Sequence, residues 1–230
     1  MSAIDPEATV SALVVEQPGR ARVFERFDIE YCCGGKVPLR AACKQRDLDL
    51  EAVLEALAES RDEESEWTGR PLEDLCDHIV DHHHGYLREE LPPLRALVDK
   101  VDRAHGDHHP ELHEVAATFA AVASELEQHM VKEEQVLFPA CVALERGTDP
   151  GLPFPVDAPI SAMVDEHEQV AAGLARLRAL TNGYVPPDDG CNSYRAMLDR
   201  LATLERDTHV HVHEENNILF PRAAALAHAR

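Results

Sequence analysis

The chain has 230 residues, with hydrophobic residues at 44% and charged residues at 28%, the balance of a globular protein with one ordinary domain and a smaller one. Acidic residues outnumber basic ones 43 to 22, a formal charge of −21, which repels nucleic acid and anionic lipid and excludes both as default partners. No apolar run approaches the roughly 18–20 residues that span a bilayer, and the opening MSAIDPEATVSALVVEQ has acids but no basic n-region, so the expected address is the cytoplasm, without a membrane.

Residues 1–66 read as a small helical module. A short apolar stretch begins around Pro6-Glu7-Ala8-Thr9-Val10 and stops near Pro18-Gly19, and Arg20 to Phe27 suits another short helix. Tyr31-Cys32-Cys33-Gly34-Gly35 follows, where paired glycines permit a tight turn. Asp49 is a natural N-cap for a helix with Leu50, Val53, Leu54 and Leu57 on one face. The acidic run 61–66 reads as a solvated linker.

Residues 67–230 carry four long helical patterns. The first starts near Leu72 and contains Pro92-Pro93, which should bend it. After a loop at 104–110, the second covers about 111–146 and ends near Gly147, a natural C-cap residue. The third covers about 159–181 and the fourth about 190–227, each preceded by a Pro/Gly-rich break. Alternating strand patterns are absent, so the expected fold class is all-α: a small N-terminal helical domain and a four-helix bundle.

Fourteen histidines, gathered in tracts such as DHIVDHHHG and HVHVHEE, point to metal. Two segments repeat: His129-x-x-x-Glu133 and His211-x-x-x-Glu215, each followed by an aliphatic residue and Leu-Phe-Pro. His84 precedes the first and His167 the second at nearly the same distance. Residues i and i+4 share a helix face, so each repeat presents an imidazole and a carboxylate together. They also continue apolar stripes: Val122, Leu126, His129, Glu133 and Val136 in one, and Leu201, Leu204, Thr208, His211, Glu215 and Ile218 in the other. Burying four imidazoles and two carboxylates uncompensated is costly. A pair of metal ions compensates them all, and six-coordinate ions sharing both carboxylates and an oxide or hydroxide would keep positions for a small ligand. Imidazole with carboxylate suits iron, zinc or manganese.

Periodicity leaves His83 and His84 as alternatives for the first ligand, since His83 lies four residues after Ile79. Glu134 and Glu214 are one step off the i+4 relation and are expected to face solvent. His82, in the same ambiguous tract, receives no role; His209 and His213 are surface groups or outer neighbours of the ligands, and His105, His108, His109 and His113 are loop and helix-start residues. Cys32 and Cys33, beside Lys36 and a helix start at Pro38, form a candidate thiol site. As sequence neighbours their Cα atoms are about 3.8 Å apart, too close for an unstrained disulfide. Cys43, Cys76, Cys141 and Cys191 are expected to be core or incidental.

The stretch DIEYCCGGK at 28–36, followed by a bundle with His and His-x-x-x-Glu sets ending in ENNILFPR at 215–222, resembles the RIC (repair of iron centres) family, the ScdA/YtfE type. The resemblance covers nearly the whole chain and implies an ScdA-like N-terminal domain joined to a hemerythrin-like bundle. It implies two non-haem iron ions held by His84, His129, Glu133, His167, His211 and Glu215, with both glutamates bridging, and it selects His84 over His83. It implies repair of iron–sulfur clusters damaged by nitric oxide or peroxide, through iron donation to client proteins met transiently, through binding and reduction of nitric oxide, or both. Nitric oxide or oxygen would be the small ligands; a homodimer stays open. The competing readings are an oxygen or redox sensor without turnover, a zinc protein, and an oxygen-activating oxidase. The last typically carries Glu-x-x-His in a carboxylate-rich set, against the His-rich order here.

Overall fold

The computed structural model describes residues 4–32, 35–60, 67 and 69–229. Cys33, Gly34 and the 61–66 stretch read as a linker lie outside the described residues. Among those described, the structure is helical, with one isolated β-bridge between Thr9 and Pro38. Contacts divide the chain into two compact units, Met1–Leu75 with His209–Arg230, and Cys76–Thr208.

In the first unit, α1 (Val10–Glu16) starts where the Thr9 hydroxyl accepts from the Ala12 amide at 3.3 Å, and α4 (Leu50–Glu59) where the Asp49 carboxylate accepts from the Glu51 amide at 3.1 Å. Both are N-caps, and Asp49 is the one expected. Between them lie α2 (Ala21–Arg26) and α3 (Leu39–Gln45). The turn after Tyr31 is tied to α1, since the Ser11 amide donates to the Gly35 carbonyl at 2.8 Å and the Val10 amide to the Val37 carbonyl at 3.0 Å. Gly35 is required by this approach, because a Cβ there would lie 2.3 Å from the Tyr31 carbonyl oxygen. Val10, Phe24, Tyr31, Leu39, Val53 and Leu57 form the core, and Val212 belongs to it.

In the second unit, α6 (Gly85–His105), α7 (Glu111–Lys132), α9 (Asp157–Leu180) and α10 (Asn192–Glu214) contribute to one core. Its members include Leu87, Leu94 and Val101 from α6, Phe119 and Leu126 from α7, Leu174 from α9, and Met197 and Leu204 from the start of α10. The short connection at 106–110 makes α6 and α7 antiparallel neighbours, and α7 packs on α9 as well. α6 runs through Pro92 and Pro93. After α8 (Phe138–Glu145) the chain turns at Gly147, whose φ of +72° is the left-handed conformation expected past a helix end. Among the described residues no helix is long and apolar enough to cross a membrane.

Three stretches depart from the uninterrupted helices that periodicity predicts. Ile79–His84, after α5 (Leu72–His78), is a π-helical turn, as are Glu133–Leu137 before α8 and Glu215–Leu219 before α11 (Phe220–His228). In the latter two, the Phe138 amide donates to Glu133 and the Phe220 amide to Glu215, five residues back. Each is followed by a proline, Pro139 or Pro221, which has no N–H to offer the preceding turn. The widened turn shifts the stripe by one residue: Val136, expected inside, is 43% exposed, while Leu137 is buried.

Candidate metal centre

The second unit buries His84, His129, Glu133 and His167 almost completely. His84 closes the first π turn and Glu133 opens the second, placements typical of π turns at functional sites. Glu133 lies between two imidazoles: its Oε1 is 3.0 Å from His129 Nε2 and its Oε2 3.3 Å from His84 Nε2. His129 Nε2 is also 2.9 Å from His167 Nε2. Neither Glu133 oxygen meets its imidazole at a hydrogen-bonding angle. The side-chain nitrogen and oxygen atoms of these four residues thus converge on one another.

The outer nitrogens explain the orientation. His84 Nδ1 is 2.6 Å from Glu134 Oε1, and His129 Nδ1 is 3.0 Å from Glu166 Oε2. A carboxylate accepting from Nδ1–H fixes the tautomer with the Nε2 lone pair inward, the arrangement that metal-ligating histidines adopt. Arg88 bonds Glu134, and Lys132 bonds Glu166. Partial burial pushes the Glu134 carboxyl up, but hydrogen bonds from His84 and Arg88 outweigh it and hold the group below its ordinary range. Glu166 is likewise lowered, burial being opposed by Lys132 and His129. Both stay ionised, as acceptors must. Phe138 stacks on the His84 ring, with centroids 5.8 Å apart and planes within 13°.

In the first unit, the last turn of α10 and the third π turn hold His211 and Glu215, 1% and 0% exposed, with His211 Nε2 3.0 Å from Glu215 Oε1. They repeat the His129–Glu133 pair in spacing, distance and local helical form.

The donor set fits a metal. Two ligand atoms each about 2.1 Å from an ion and at right angles to one another lie about 3.0 Å apart, and the separations among His84, His129, Glu133 and His167 are 2.9, 3.0 and 3.3 Å. Glu133 faces a different imidazole with each oxygen.

Several placements differ from expectation. Glu134 does not face solvent freely but holds His84, and Glu214 is 8% exposed. Glu166, which received no role from periodicity, holds His129; both supporting carboxylates are sequence neighbours of ligand candidates. His83 is buried, with Nδ1 3.1 Å from Asp207 Oδ1. His213 is buried too and packs on the Tyr31 ring, 5.6 Å between centroids. Burial pushes its imidazole down to about 4, and Asn217 donates to its Nδ1 at 3.1 Å. Cys32 is 2% exposed, and its immediate neighbour is a carboxylate rather than a cation: the thiol donates to Glu30 Oε1 at 2.7 Å. Cys191 is exposed while Cys43, Cys76 and Cys141 are buried.

Comparison with known proteins places these features in context. Residues 75–223 match the hemerythrin HHE cation binding domain, and residues 6–61 match ScdA_N, a domain of unknown function. The chain is 36% identical over 220 residues to the iron-sulfur cluster repair protein YtfE of Pectobacterium atrosepticum, covering 94% of this chain and 96% of that one. The YtfE proteins of Musicola paradisiaca and Yersinia pseudotuberculosis, also named iron-sulfur cluster repair proteins, are 36% identical with the same coverage.

Proposed function

Because the chain belongs to the family of YtfE-type, hemerythrin-like iron–sulfur cluster repair proteins, we propose that it repairs clusters damaged by nitrosative or oxidative stress, using a dinuclear non-haem iron centre. Its ligands are His84, His129, Glu133, His167, His211 and Glu215, and the two glutamates are shared between the ions together with an oxide or hydroxide. The observation that carries the reading is Glu133, set between two imidazoles whose outer nitrogens are each pinned by a further carboxylate. His211 and Glu215 supply the second half by the internal repeat, down to the π turn and the Leu-Phe-Pro ending.

When bound, iron supplies a ferric–ferrous couple and an exchangeable ion. The chain does the rest. Glu134 and Glu166 hold the Nδ1 protons of His84 and His129, which keeps both Nε2 atoms basic and aimed. Phe138 covers one face of His84 and keeps water off it. A largely neutral, imidazole-rich set suits iron that is reduced and handed on, so the work is iron donation to iron–sulfur client proteins, met transiently, and binding and reduction of nitric oxide, with oxygen as the other small ligand. The protein acts in the cytoplasm, where thiols such as Cys32 stay reduced. Cys32 and Cys33 form the thiol site of the N-terminal module, whose domain spans residues 1–66, and the bundle spans 67–230.

The test is a His129→Leu, Glu133→Leu double variant, assayed for iron content and for reactivation of an iron–sulfur enzyme damaged by nitric oxide. Loss of both is expected. Full iron retention refutes the ligand set, and iron loss with undiminished reactivation refutes its role in repair. Stable, reversible oxygen binding without reactivation by the unaltered protein would favour carriage instead. Replacing Cys32 and Cys33 by serine should reduce reactivation and leave iron at the dinuclear centre.

A further inference from the structure

A second group of metal-binding side chains lies in the N-terminal unit, built from residues outside the ligand set above. Glu30, Cys32 and His209 each offer one ligand atom, and these atoms lie within 4.8 Å of one another. We propose that Glu30, Cys32 and His209 form a mononuclear site for a divalent cation of the zinc or ferrous class, independent of the dinuclear iron.

The three donors come from two distant chain segments, and each is positioned by its surroundings. The Cys32 amide and thiol both meet Glu30 Oε1, at 2.9 and 2.7 Å, which folds the carboxylate back over the sulfur. The Cys32 carbonyl accepts from Asn217 Nδ2 at 3.2 Å, which ties the cysteine to the turn after α10. The Tyr31 ring stands edge-on to His209, 6.2 Å between centroids. Cys32 is 2% exposed, while Glu30 and His209 are only partly buried, so an ion can reach the sulfur past them.

Chemistry selects the ion. In a tetrahedral site with sulfur about 2.3 Å and nitrogen or oxygen about 2.1 Å from the metal, neighbouring donors lie about 3.4–3.6 Å apart, within the span observed. A thiolate with imidazole favours zinc, ferrous iron or cobalt over magnesium and calcium. One thiolate, one carboxylate and one neutral imidazole are balanced by a dication, so the loaded site is neutral in a chain of charge −21. Binding releases the thiol proton to solvent and replaces the S–H···O contact with two bonds to the ion. Three protein donors leave the fourth position for water or a small ligand.

Cobalt(II) is the probe, because thiolate ligation gives a near-ultraviolet charge-transfer band that imidazole and carboxylate do not. The host is the full-length, iron-loaded chain carrying Cys191→Ser, which removes the exposed thiol that has His105 Nε2 at 3.2 Å. One equivalent of cobalt should bind with the band. Cys32→Ser should abolish it, and Glu30→Gln and His209→Ala should each weaken binding at least about tenfold, with helicity and melting checked by circular dichroism. A titration without the band overturns the proposal. So does a band that survives Cys32→Ser, or cobalt affinity unchanged in both Glu30→Gln and His209→Ala. The dinuclear reading is judged separately, by iron content in the His129→Leu, Glu133→Leu variant.

Discussion

Glu134 offers the sharpest probe of how the metal pocket is organised, because it touches no proposed iron ligand atom yet orients one. Its Oε1 accepts from His84 Nδ1 at 2.6 Å, and the His84 side chain is fully buried. In Glu134→Ala the imidazole keeps its place in the core and loses the acceptor that fixes its tautomer. Leaving a buried N–H without that partner costs about 1–3 kcal/mol of stability. Loss of a supporting carboxylate behind a ligating histidine lowers metal affinity about 10–100-fold, or about 1.4–2.7 kcal/mol. Glu134→Gln keeps an acceptor oxygen and should lose less. The assay is anaerobic competition for ferrous iron against a chelator of known affinity, with thermal melts of the metal-free protein in parallel. Glu127→Ala is the control: its carboxylate meets Arg95 at 3.4 Å on the surface, with both side chains more than a third exposed, and such pairs contribute about 0–1 kcal/mol. Wild-type iron affinity in Glu134→Ala, or an equal loss in Glu127→Ala, would refute the argument that the outer carboxylates aim the imidazoles.

Further outcomes follow from other contacts. Gly173→Ala should destabilise the bundle by about 1–3 kcal/mol in denaturant titration, because its Cβ would sit 2.4 Å from Val122 Cγ2 where α9 packs on α7. The Cys191 thiol is lowered to about 7 by the Tyr194 and Ser193 amides and by His105. In the folded protein near neutral pH it should therefore alkylate well before the buried Cys43, Cys76 and Cys141, as mapped by mass spectrometry. His109 is raised above its ordinary value chiefly by its hydrogen bond to Asp189, aided by Glu111 and opposed by its slight burial. Its contribution to stability is therefore present below the ordinary imidazole value of about 6.5 and fades as pH rises through the raised one. An NMR titration should place His109 above that value and return it toward it in Asp189→Asn.

The pairs His129–Glu133 and His211–Glu215 were legible in the sequence because an i, i+4 relation on a helix is local: backbone geometry alone brings the two side chains within reach, and both pairs stand 3.0 Å apart. The helices were legible for the same reason, from apolar period and caps such as Asp49. Periodicity did not separate His83 from His84, since both are buried; what distinguishes them is the partner, Asp207 for one and Glu133 with Glu134 for the other. Val136 was misplaced because a π turn adds one residue to the period, and hydrophobic pattern cannot register that insertion.

Sequence by itself therefore settled the helical class, the repeated imidazole–carboxylate pairs and, through the whole-chain resemblance, the family. Tertiary structure decided what depends on distance across helices rather than along them. It set Glu134 behind His84 and Glu166 behind His129, seated His213 against Tyr31, and brought His209 to Glu30 and Cys32. Glu134 and Glu166 are half-buried helical residues, at positions where a rotation of one residue decides between solvent and contact. That rotation is fixed by packing and loop length, which no local pattern carries.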